Sequence, residues 1–120
     1  MKDGIYACYS SDSGITVTGP YRNERAGAEI DAVSPDLILI PSIWPETYCY
    51  TLSHALASGR AVAGFDIGAV GTRLRDASCG ATVLPLALAR DPAALGDAIL
   101  GAAGADDMAR PMRRRIVAVA

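Results

Sequence analysis

The sequence predicts an α/β protein of three layers, built on a parallel sheet of about four to five strands, and three observations carry that expectation. Short continuous apolar runs recur at Leu37–Ile40 (LILI), residues 61–65 (AVAGF) and Ala81–Leu84 (ATVL). Such runs suit strands covered on both faces rather than half-wet ones. Between them lie segments whose apolar residues return at helical spacing. The composition is 51% hydrophobic, with 12 glycines but only one Phe and one Trp, which fits tightly packed helix and sheet layers better than an aromatic-rich sandwich.

Taken in order, residues 5–9 allow a short strand, and the cluster Ser10, Ser11, Asp12, Ser13, Gly14 reads as a loop. Residues 15–18 (ITVT) form a β-branched strand pattern, turned by Gly19-Pro20. A helix is expected over residues 23–33, with Asn23 as N-cap, Glu24 at the positive end of the dipole and Ala26, Ile30 and Val33 as its apolar face. Ser34-Pro35-Asp36 breaks it ahead of the central strand.

The best-organised stretch runs from Asp36 to Asp66. After LILI, Pro41 ends the strand because a central strand cannot spare an N–H, and Pro45 fixes a further turn. From Thr47 onward Tyr48, Leu52, Ala55 and Leu56 recur at helical spacing, with Tyr48 inward, while Thr47, Tyr50, Thr51, His54 and Ser58 fall on the polar side. Gly59 suits the position just past a helix end, and the next strand follows. This βαβ unit places a polar turn at the carboxyl end of its first strand, the edge at which open α/β sheets bind ligands. Downstream, a helix is expected over residues 70–77 with Leu74 inward and Arg73 and Arg75 outward. A further helix opens at Asp91-Pro92, proline being free of cost at the first helical position, with Ala94, Leu95, Ala98 and Ile99 as its buried stripe. Residues 105–120 read as a tail with a basic knot at Arg110, Arg113, Arg114 and Arg115. Its apolar end, residues 116–119, could form an edge strand, join a dimer or stay unstructured.

The 120 residues correspond to one domain, residues 1–104, followed by that tail. A formal charge of −2 argues against a nucleic-acid partner, which would call for a basic footprint. No apolar run approaches the roughly 18 residues that span a bilayer, and the N-terminus carries no signal pattern. Cys8, Cys49 and Cys79 are scattered without C-x-x-C spacing, which points to a reduced cytoplasmic setting and no structural zinc.

The string P-S-x-W-P-E-T-Y-x-Y-T-L-S-x-A-L-x-x-G over residues 41–59, followed by A-V-A-G-F-D-I-G-A over 61–69, resembles the donor-binding half of GT-B glycosyltransferases. It is most similar to the bacterial group acting on cell-surface polysaccharides, and the likeness covers roughly residues 15–100. The resemblance implies a Rossmann-like domain forming part of a C-terminal donor half, and a retaining transfer from a nucleotide-sugar such as a UDP- or GDP-sugar to a hydroxyl acceptor. It implies no cofactor and no obligatory metal. The acceptor glycan would need another domain or chain, and the chain corresponds to the later portion of a donor domain. Homo-oligomerisation is one way to cover the missing surface.

In that family a Glu-x7-Glu pair spans the turn and helix. Glu46 matches the first glutamate, implying that it orients the sugar, while the second position holds His54. The amides of Thr47, Tyr48 and Cys49 would face the diphosphate, and His54 would stand near the ribose. A carboxylate can accept two hydroxyl hydrogen bonds from a diol; a neutral imidazole offers one acceptor and one donor. A second departure is Thr72, where the family commonly has a glutamate. Read without the family, Glu46 is a helix-terminal acid favoured by the dipole, Thr47 an N-cap, Tyr48 a core residue and His54 a structural histidine. Asp66 either lines the same crevice or shapes its own turn. Trp44 packs over a ligand or over the sheet edge. Two other readings stand beside the transferase: a non-catalytic partner subunit, and an unrelated small α/β binding domain.

Overall fold

The computed structural model describes residues 21–77, 80–104 and 116–119. The strands expected at residues 5–9 and 15–18 and the basic knot at 110–115 lie outside the described residues. Within them the fold is α/β, with four parallel strands and four helices in three layers, a Rossmann-like arrangement.

A 3-10 turn, Asn23–Arg25, leads into α1, Ala26–Val33. Asn23 therefore lies inside the opening turn and caps nothing; Arg22 precedes the turn with no side-chain cap. The expected face holds, with Ala26 and Ile30 buried. Ser34 ends the helix in the left-handed region at φ 51°, its amide donating to Ile30 O at 3.0 Å. Strand β1, Leu37–Ile40, follows. Then come α2 (Tyr50–Ala57), β2 (Val62–Phe65), α3 (Gly68–Asp76) and β3 (Ala81–Leu84). Gly59, at φ 74°, turns the chain out of α2 as expected. Helix α3 begins two residues earlier than its apolar spacing suggests, because Gly68 takes the turn itself at φ 55°. A second 3-10 segment, Leu86–Arg90, precedes α4 (Pro92–Ala102), whose Asp91 Oδ1 accepts from Ala94 N at 3.2 Å. The apolar end of the tail takes the first of its three options: Ile116–Ala118 is β4, at the edge of the sheet among the described residues.

The sheet order is β3-β2-β1-β4, every neighbouring pair parallel. Because side chains alternate along a strand, each face builds its own core. On one face Ile38, Ile40 and Val62 meet Ile30 of α1, Leu52 of α2 and Leu74 of α3. On the other, the buried Leu37, Ala63, Phe65 and Leu84 meet Leu95, Ala98 and Ile99 of α4, which are half-buried and not the fully buried stripe expected. Fully burying such a Leu or Ile contributes roughly 1.5–3 kcal/mol, so these two layers hold the fold together. Helix α3 sits close on β2: a Cβ at Gly64 would come within 2.8 Å of Val70 Cγ1 and 3.0 Å of Leu74 Cδ1. Among the described residues no helix is long and apolar enough to cross a membrane.

From β1 the chain steps outward to β2 and β3, through α2 and α3 on one face. Strand β4 adjoins β1 on its other side, and α4, which lies between β3 and β4 in sequence, packs on the opposite face. The winding thus reverses between β1 and β4. In open α/β sheets the carboxyl ends of two such strands leave a crevice, because the chain departs from them in different directions.

Candidate functional site

A cleft of about 200 Å³ opens at that reversal. Its floor comes from Ile40 and Pro41 at the end of β1 and Val119 just past β4; its polar groups are Ser42, Glu46 and Thr51, with Trp44 at the rim. Trp44 is 73% exposed, so its ring stands largely open to solvent at the cleft rim.

The loop between β1 and α2 is built around its two prolines. Pro41 stops the strand, and Pro45 is the centre of a three-residue turn closed by Glu46 N donating to Trp44 O at 2.9 Å. Glu46 is then fixed from two sides. Ser42 Oγ donates to its Oε1 at 2.9 Å, and its carbonyl accepts from Ala69 N at 2.9 Å. Gly68 permits that second contact. A Cβ there would lie 2.8–2.9 Å from backbone atoms of Pro45 and Glu46, closer than side-chain atoms tolerate. The bond from Ser42, with the Cys49 thiol as a second donor, still leaves the carboxylate further lone-pair sites, so Glu46 remains an acceptor on the cleft wall.

Helix α2 starts at Tyr50, three residues later than the spacing of apolar residues suggests. Thr47, Tyr48 and Cys49 belong to the loop, because Cys49 takes a left-handed conformation, φ 70°, ψ 85°, which a continuing helix cannot contain. The first-turn amides of the helix are accordingly those of Tyr50, Thr51 and Leu52. Neither Thr47 nor the actual cap residue, Cys49, makes a side-chain capping bond. Tyr48, read as core packing, is 49% exposed. Its ring meets that of Tyr50 edge-on at 5.1 Å and lies under the Arg73 guanidinium at 4.4 Å. The core position is taken by Cys49 instead, only 6% exposed and part of the α1–α3 face.

The Cys49 thiol lies 3.7 Å from Thr51 Oγ1 and reaches the Glu46 carboxylate. Burial, and then that carboxylate accepting its hydrogen bond, push the thiol above its ordinary pKa of 9.0. At neutral pH it is therefore a protonated donor to Glu46 rather than a nucleophile. Tyr21 packs nearby; burial, with the Cys49 charge second, raises its pKa as well.

His54 stands on the second turn of α2, half-buried, one turn from Thr51 and outside the cleft lining. Thr72 Oγ1 donates to Gly68 O within its own helix at 3.3 Å. Asp66 is paired with Arg75 and does not line the cleft. The structure thus gathers Glu46 and Thr51 at the cleft with Ser42, sets Cys49 behind them, and leaves Thr47, Tyr48 and His54 off the lining. Among the described residues no three His, Cys, Asp or Glu side chains come together as a metal site.

Arg73 is the residue that spacing misassigned. Placed outward by helical periodicity, it turns back onto the loop, donating to Tyr48 O at 3.0 Å, Cys49 O at 2.9 Å and Ser53 Oγ at 2.9 Å. No local pattern announces contacts made to carbonyls about 25 residues earlier. Comparison of the chain with family models, with curated proteins and with solved structures gave no match.

Proposed function

We propose that the chain is the donor-binding portion of a retaining GT-B glycosyltransferase, holding a nucleotide-sugar such as a UDP- or GDP-sugar. The observation that carries this reading is the position of Glu46: a carboxylate with free acceptor sites, on the wall of a cleft at the point where the sheet's winding reverses. Glu46 accepts hydrogen bonds from sugar hydroxyls, and Trp44 offers an apolar face beside them. The first turn of α2 supplies backbone N–H groups and the positive end of a helix dipole, where the leaving diphosphate develops negative charge. These amides, from Tyr50 onward, replace Thr47–Cys49 in that role. His54, three residues beyond Thr51 and so on a neighbouring position of the same helix face, stands toward the ribose and offers it one acceptor and one donor. The acceptor glycan comes from another domain or chain.

An amide NMR titration of the full chain with UDP, GDP and their sugar conjugates tests the reading. Shifts confined to residues 42–54 that vanish in Glu46→Ala are the expected result. Losing one charged hydrogen-bond contact of this kind lowers affinity by about ten- to a hundredfold. A folded spectrum indifferent to all of these nucleotides would sink the donor reading and favour the non-catalytic partner subunit or an unrelated small α/β binding domain.

A further inference from the structure

The loop that carries Glu46 makes most of its anchoring contacts with α3 and the turn before it, not with α2, which it enters. At one end Ala69 N holds Glu46 O, with Gly68 pressed against the Pro45 and Glu46 backbone. At the other, Arg73 holds the carbonyls of Tyr48 and Cys49, lies over the Tyr48 ring, and is braced by Ser53. Cys49 needs such bracing. A non-glycine residue in the left-handed region is strained and persists only where its surroundings over-determine it. A guanidinium suits this task because its planar fork meets two adjacent carbonyls and a hydroxyl at once while stacking on an aromatic ring; an ammonium does not.

We propose that Arg73 is the positioning residue of the Glu46 cleft: its guanidinium latches the loop at Tyr48 and Cys49 and so sets where the Glu46 carboxylate stands. The inference rests on the reading of that cleft as the donor site, and its test separates the two. Hydrogen exchange is measured on the ligand-free full chain as wild type, Arg73→Met, Arg73→Lys and Ser53→Ala, followed by titration of each with UDP- and GDP-sugars.

In Arg73→Met, the amides of Glu46 and Ala69, bonded to Trp44 O and Glu46 O, exchange faster by about tenfold or more while those of β1, β2 and β3 keep their wild-type rates, and sugar-nucleotide affinity drops by about tenfold. Arg73→Lys recovers part of both effects. Ser53→Ala, which removes one brace and leaves the core untouched, shows a smaller change of the same sign and decides the matter if Arg73→Met does not fold. Uniform acceleration across the strands, or unchanged exchange at Glu46 and Ala69, overturns the latch. If wild type binds none of the nucleotides, the donor reading fails, and the ligand-free exchange alone decides whether Arg73 shapes the loop.

Discussion

Cys49 shows how a single residue couples backbone, core and site. Its left-handed conformation stops α2 from starting earlier, its side chain fills the core beneath α1–α3, and its thiol donates to the carboxylate in the cleft. A cysteine, unlike a glycine or asparagine, does not advertise a positive φ, so the register of Tyr48, Leu52 and Leu56 reads as one unbroken helix from Thr47. Burial and the Glu46 carboxylate raise the thiol above 9.0 in the folded state. An unfolded thiol therefore loses its proton first, and the unfolded state binds fewer protons than the native one above that pH. By linkage, the contribution of Cys49 to stability is fully present below pH 9.0 and is lost as pH rises through the folded value. Urea unfolding at pH 7, 8, 9 and 10 of wild type and Cys49→Ala is expected to show a stability difference that shrinks above pH 9. Tyr21, raised above 10.0 for the same first reason, adds a decline that both proteins share. A difference independent of pH would mean that the thiol is not held in its neutral form.

At the scale of elements, the readable parts were those whose signal is local. LILI, AVAGF and ATVL announce strands because two-sided burial demands unbroken apolar runs, and Asp91-Pro92 announces a helix start because cap and first-turn chemistry involve adjacent residues. Asp91 does accept from Ala94 N, three residues on. Replacing it with Ala is expected to cost about 1 kcal/mol, read as a lower urea midpoint with an unchanged m-value. Asp91→Asn, which keeps the acceptor oxygen, should recover most of the loss, whereas equal losses would show that charge rather than the cap supports α4. What could not be read locally was the loop at residues 41–49. Its shape depends on Gly68, Ala69 and Arg73, more than twenty residues away, and periodicity counts only neighbours. Glu46 was nevertheless a candidate, because it follows a strand end at the binding edge of the sheet and because its surrounding string resembles a family whose first motif glutamate it matches; position alone left a helix-terminal acid as the simpler reading.

The whole molecule decides whether there is a cleft at all, because its two walls come from segments far apart in the chain. Ile40 and Glu46 belong to the first βαβ unit, whereas Val119 follows the last strand, and only the pairing of β4 with β1 brings them together. That pairing depends on a few backbone bonds, one of them Val119 N donating to Leu39 O at 2.9 Å. In a parallel ladder alternate amides face opposite neighbours, so the amide of Val117 points to β1 like that of Val119, and the amide of Ala118 points away. Proline restricts φ equally at both positions, but removes a ladder donor only at Val117. Val117→Pro is therefore expected to release β4, lowering stability by about 1–3 kcal/mol for the unmade bond and weakening nucleotide-sugar binding, while Ala118→Pro leaves binding within about twofold of wild type. Amide spectra of both variants supply the check, with Ile38 and Leu39 as reporters of the vacated strand edge. If both prolines shift those reporters alike and weaken binding alike, the wall of the cleft is not made by β4 in this register.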